Sequence, residues 1–129
     1  MVTKEKVLEA LKKFGLLPKE KEDGQILFVF QMTLYVYIPD EDDPNFQAVY
    51  IPDFFEFEDD EEDSEIMQVI NECNINMKTS KIILAGPKNV CAAYEIHVPD
   101  ESQLDEMVHR GVICLHDTKI KFERGMKGL

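Results

Sequence analysis

The 129-residue chain is short of several things, and each shortage removes a class of proteins. Its six glycines are scattered, so no Gly-rich loop can cradle a phosphate, and neither GxGxxG nor a P-loop occurs. Its three cysteines, Cys73, Cys91 and Cys114, are an odd set without a CxxC, which argues against a disulfide framework and fits a reducing compartment. No apolar run exceeds five residues, as at Ile26 to Phe30, whereas a bilayer span needs about 20. Met1 to Lys6 carries no apolar h-region, so a signal peptide is not expected and the expected compartment is the cytoplasm.

Positive charge is the most telling shortage. Between Lys21 and Lys78 there is no Lys, Arg or His, while that stretch holds 16 of the 26 acids. Net charge is −12. A phosphate backbone needs Lys and Arg as counter-charges, and almost half of the chain has none. Nucleic acid and an anionic membrane surface are therefore not expected partners. A basic protein surface is the partner that such a field attracts, although charge of one sign also serves solubility alone.

What is present reads as one α+β domain over residues 1–129. The apolar fraction of 44% is that of a globular chain, and this length buries roughly two-thirds of its unfolded surface. Thr3 caps a first helix over Lys4 to Phe14, with Val7, Leu8, Leu11 and Phe14 on one face and Gly15 as its stop. Leu17 to Lys21 contains Pro18 and suits an additional edge strand. Asp23-Gly24 turns the chain into Gln25 to Met32, apolar on both faces and therefore expected to be central and covered. Thr33 to Ile38 alternates, with Leu34, Val36 and Ile38 opposite Tyr35 and Tyr37. After the acidic turn Pro39 to Pro44 comes a strand over Phe46 to Ile51. A second helix spans Ser64 to Asn74, where Asn71 and Asn74 suit the bonding of free carbonyls near a helix end. Strands follow over Lys81 to Ala85 and Val90 to Val98. From a cap at Asp100, the spacing of Leu104, Val108, Gly111, Leu115, Thr118 and Phe122 favours one long helix to about Arg124 over a strand at Thr118 to Glu123. The order is α-β-β-β-α-β-β-α, an antiparallel sheet of about five strands with helices packed on one face.

Chemistry is sought in vain. There is no HExxH and no GxSxG, and none of Ser64, Ser80 and Ser102 sits in a nucleophile elbow. His109, Cys114 and His116 lack the paired spacing of structural zinc, as does Cys91 with His97. Counted from Asp40, the sixth and twelfth residues are Asn45 and Ile51, where an EF-hand needs Gly and Glu. The carboxylates are crowded and solvated, not tuned by burial for acid/base work. No enzyme, cofactor or metal is expected.

The stretch Val69-Ile70-Asn71-Glu72-Cys73-Asn74, followed by Lys81-Ile82-Ile83-Leu84, resembles the YbjN-like family, whose fold is similar to that of type III secretion chaperones. The resemblance covers about fifteen positions in residues and most of the chain in element order. It implies a non-enzymatic, chaperone-like or regulatory protein-binding module, often a homodimer, and transfers no functional residues. An acidic inhibitor of the immunity type, neutralising a basic toxin or nuclease, is the alternative that the charge suggests. Candidate partner-binding residues are Phe54, Phe55 and Phe57, whose three rings cannot all lie on one strand face, and the acids Asp59, Asp60, Glu61 and Glu62. Burial of the three rings in the core is the competing reading.

Overall fold

A computed structural model describes residues 1–129. Thr3 Oγ1 accepts from the Lys6 N–H and starts α1 (Lys4–Lys13), which buries Val7, Ala10 and Leu11 and ends before Gly15 at a φ of +92°. The sheet then builds as a meander. A two-residue β1 (Lys19–Glu20) pairs with β2 (Ile26–Phe30), β2 with β3 (Thr33–Tyr37), and β3 with β4 (Phe46–Ile51). After α2 (Asp63–Ile75), β5 (Ser80–Leu84) takes the far edge, and β6 (Val90–His97) returns between β5 and β4. A single 3-10 turn, Glu101–Gln103, capped by Asp100, leads into α3 (Leu104–Met126). The six strands lie in the order β1-β2-β3-β4-β6-β5, and every neighbouring pair is antiparallel.

The long last helix is present, and Gly111 explains why a poor helix former sits inside it. A Cβ at residue 111 would lie 2.8 Å from two ring carbons of Tyr94, so the missing side chain is what lets α3 approach the sheet. Thr118, further along the same face, is fully buried. Its Oγ1 lies 2.7 Å from the Cys114 carbonyl and 2.6 Å from Ser80 Oγ, which satisfies both hydroxyls between α3 and β5.

All three helices cover the same sheet face. Val7, Leu11, Val112 and Leu115 close over Ile26, Phe28, Tyr35, Tyr37, Val49 and Tyr94 in the larger core cluster. Ile66, Ile70 and Phe122 close over Ile82 and Val90 in the smaller one. Two expectations need correction. The segment Gln25 to Met32 is not one strand: Gln31 and Met32, at φ of 50° and 61°, form a tight two-residue turn between β2 and β3 without the usual Asn-Gly. Nor is β2 covered on both sides, because Val29 is exposed and Leu27 only half-buried. Apolar residues on both faces suggest double burial, but one face has no layer over it.

The middle of the β5 edge is capped by a side chain. Asn74 Oδ1 accepts from the Ile82 N–H (2.8 Å), and its Nδ2 donates to the Ile82 carbonyl (3.0 Å). The amide thus mimics one rung of a further strand and saturates backbone groups that would otherwise be open to pairing.

Two outcomes follow from this packing. Replacing Gly111 by Ala gains about 1 kcal/mol of helix propensity but forces a methyl into the Tyr94 ring, an overpacking cost of about 1–3 kcal/mol. Urea unfolding of the Gly111→Ala variant should therefore show a lower midpoint; an unchanged or higher one would mean that α3 stands further from Tyr94.

The second outcome concerns the tyrosines, of which there are four. Burial is the main cause raising each above the ordinary value near 10: Tyr35, Tyr50 and Tyr94 upward, and Tyr37 up to about 12. The folded chain thus favours the neutral phenols. This contribution to stability is intact below pH 10 and is lost as pH rises through the raised values. A spectrophotometric titration should show tyrosinate appearing at higher pH in the folded chain than in the urea-unfolded chain.

Candidate functional site

The candidate residues of the sequence fall into one continuous stretch between β4 and α2. Pro52 ends β4, and the Phe54 N–H donates to the Val90 carbonyl (3.2 Å), tying the chain to the start of β6. Residues 54–57 form no strand, which is how three rings gather on one target. Phe54, Phe55 and Phe57 meet Phe122 edge-on, with centroids 5.7, 5.3 and 6.1 Å away and interplanar angles of 84–87°. Such perpendicular contacts set ring edges against the ring face and contribute about 0.5–1.5 kcal/mol per pair beyond burial. Phe122 is fully buried, while the three rings around it are half-buried. They are the lid of the smaller core cluster and retain some surface.

Beyond them the chain carries Glu58 to Asp63 into solvent. Lys88 Nζ donates to the carbonyls of Glu58 (2.9 Å) and Asp59 (3.1 Å), and Glu61 Oε2 accepts from the Glu58 N–H (2.9 Å). The lysine thus holds the loop by its backbone. None of the six carboxylates stands in an ion pair; Asp59, Asp60 and Glu62 are exposed and Glu61 is half-buried. The structure therefore brings the rings together and leaves the neighbouring acids as a separate, solvated surface.

A second surface is not singled out by the sequence. On the sheet face away from the helices, the strand register places Leu27 and Val29 of β2 beside Val36 and Leu34 of β3, with Tyr50 of β4 next to Val36. Val29 is 60% exposed, Leu34 46% and Ile38, just past β3, 39%. Leu17 (89%) stands just before β1 and Met32 (99%) at the β2–β3 hairpin tip. Leu17, Lys19, Leu27, Val29 and Leu34 line one shallow depression. Further across, Tyr50 Oη donates to Glu95 Oε2 (3.3 Å), and Lys81 Nζ lies 3.3 Å from Glu95 Oε1. The alternation of Thr33 to Ile38 is legible in the sequence, but not which side faces inward. The structure buries Tyr35 and Tyr37 and turns the aliphatic side outward.

The acidic turn between β3 and β4 lies at one end of this face. Asp40 Oδ1 accepts from the N–H groups of Asp42 (3.0 Å) and Asp43 (3.1 Å), a local turn that leaves the other carboxylates outward. The β1–β2 turn, with Glu22 and Asp23, lies at the same end because β2 and β3 are antiparallel.

The arrangement offers little to chemistry. No three His, Cys, Asp or Glu side chains converge to hold a metal ion. The three cysteines are half-buried and unbridged, and burial pushes the Cys73 thiol up, away from thiolate reactivity. The two buried side-chain polar atoms without a hydrogen-bond partner are Tyr35 Oη and His116 Nδ1. Tyr35 lies stacked on Phe28 (5.2 Å) and edge-on to Phe30 (6.1 Å), inside the larger core cluster. No helix is long and apolar enough to cross a membrane. No family model, no curated protein and no solved structure matches the chain.

Proposed function

We propose that this protein is a non-enzymatic binding module that engages a basic protein partner. The observation that carries the reading is the uncovered sheet face: aliphatic side chains stand outward on β2 and β3 although three helices were available to cover them. Sheets in isolated domains normally bury an apolar face against another layer. Contiguous apolar surface left open on a domain marks an interaction site more often than chance exposure. The charge says which partners are attracted, since an acidic field of this strength raises encounter rates with basic proteins. A protein-binding role is also what the resemblance to the YbjN-like family implies.

A second reading is supported by the acidic loop before α2. Lys88 fixes its backbone and leaves its carboxylates unpaired, which suits an inhibitor that faces a basic toxin or nuclease with charge. Both readings are tested by crosslinking in the native host followed by mass spectrometry. A stoichiometric protein partner is expected, and a basic toxin or nuclease among the products would favour the second reading. Recovery of no stoichiometric partner overturns both.

With the partner in hand, the acidic run gives a kinetic prediction. Asp59→Asn, Asp60→Asn, Glu61→Gln and Glu62→Gln together should slow association and flatten its salt dependence, because exposed charges act over about 8 Å at physiological salt. Folding should be nearly unchanged: Asp59, Asp60 and Glu62 are exposed, where a substitution shifts stability by less than about 0.5 kcal/mol, and the amide oxygen of Glu61→Gln keeps an acceptor for the Glu58 N–H. Stopped-flow rates at several salt concentrations decide it. Unchanged association would assign this run to solubility alone.

A further inference from the structure

We propose that the open sheet face, with the acidic β3–β4 turn at its end, is a docking surface for an amphipathic helix of a partner that carries Lys or Arg at one terminus. The proposal rests on the protein-binding reading and adds where the partner docks and what its docking element is. Three features of the molecule lead to it.

The first is the closure of the edges. Asn74 occupies the backbone N–H and carbonyl of Ile82 on β5, and the opposite edge is the two-residue, charged β1. Strand addition is hindered at the middle of one edge and by the short, charged strand at the other, which favours the face over the edges as a docking surface.

The second is dimension. The outward aliphatic strip runs along β2 and β3, neighbouring strands about 5 Å apart and about 17 Å long over five residues, with Tyr50 of β4 flanking it at Val36. A helix is about 10 Å in diameter and rises 1.5 Å per residue, so roughly three turns cover the strip. Leu27, Val29, Leu34 and Val36 supply the apolar floor.

The third is charge. The acids Asp40, Glu41, Asp42 and Asp43 stand at the end of this strip where β3 leaves the sheet; Glu41, Asp42 and Asp43 are exposed and Asp40 turns its carboxylate into the local turn. Across the strands themselves, the one outward carboxylate, Glu95, is already matched by Lys81 and Tyr50. A helix lying along the strands therefore meets apolar side chains for its length and carboxylates at one end. A second copy of this chain is the weaker occupant, because each copy brings a net charge of −12 to the contact.

The test uses the full chain and fluorescein-labelled synthetic helices of about 15 residues, long enough for the three turns and a charged end. Their leucines are spaced i, i+3, i+4, i+7, and three lysines stand at the N-terminal end, the C-terminal end, or are replaced by glutamates. Binding is read by anisotropy, oligomeric state by light scattering, and folding of each variant by circular dichroism. One of the two lysine peptides should bind and the glutamate peptide should not. Val29→Glu with Leu34→Glu should lower that affinity at least tenfold; both sites are exposed, so the variant folds. Asp40→Asn, Asp42→Asn and Asp43→Asn should weaken binding severalfold and flatten its salt dependence. The amide oxygen introduced by Asp40→Asn keeps the acceptor of the turn. The substitutions at Asp59 to Glu62, which act only through long-range charge, should lower equilibrium affinity much less than those at Asp40, Asp42 and Asp43.

Equal binding by the Val29/Leu34 variant overturns the proposal, as does failure of every peptide to bind. Loss of peptide binding on the Asp59 to Glu62 substitutions alone would move the docking site to the phenylalanine side, leaving the protein-binding reading intact while this proposal falls. A dimer that the Val29/Leu34 variant breaks would give the face to a second copy and overturn it too. The host crosslinking experiment judges the protein-binding reading separately.

Discussion

Where α3 crosses the sheet, the backbone of Gly111 lies against the ring of Tyr94 with no side chain between them. That contact sets the distance between the helical layer and the strands. It matters beyond one pair because α3 also packs against α1, α2, β4, β5 and β6, so both other helices take their position from it. Phe122, further along, fixes the same helix a second time inside its ring of phenylalanines. A helix held at two places by aromatic contacts cannot roll or slide without opening both core clusters. The helix-propensity cost of a mid-helix glycine, about 1 kcal/mol, is small beside the roughly 1.5–3 kcal/mol that full burial of one large apolar side chain contributes.

Concentrating every helix on one side leaves the other side of the sheet to its own side chains. Ala48 and Ala93 are buried there although no element covers them, shielded by longer neighbours in adjacent strands. The surface is thus partly self-covered toward β6 and bare toward β2. Charge follows a related asymmetry. The middle of the sequence carries acids alone, and the β3–β4 turn and the loop before α2 leave their carboxylates unpaired, with Asp43 near His97 (4.0 Å) the one weak exception. Most ion pairs of the lysines and arginines lie outside that stretch, as with Lys119 and Glu123 on α3 and Lys6 with Glu101 between α1 and the turn before α3.

The periodic elements are legible in the residues. Thr3 and Gly15 bracket α1, and the four- and three-residue steps from Leu104 to Phe122 carry α3 through Gly111. What is not legible is anything decided by a neighbour distant in sequence. The Gln31-Met32 turn has no glycine or asparagine to announce it, because strand pairing imposes the positive φ on residues that do not favour it. The outward side of β2 reads like core, since an aliphatic side chain has the same chemistry whether a helix covers it or not. The phenylalanine triplet makes sense only with Phe122, far along the chain, as the ring they enclose. Asn74 reads as a helix-end residue whose bonds belong at α2 carbonyls; it reaches the β5 backbone instead.

That last side chain also makes the strand border tell an amide from a carboxylate. Asparagine amides are among the thermally labile groups of proteins. Hydrolysis of the Asn74 amide would keep an oxygen to accept from the Ile82 N–H but would set a charged oxygen against the Ile82 carbonyl, where an N–H now donates. One of the two bonds at the strand border would become a repulsion, so a residue isosteric with asparagine but charged could not take its place.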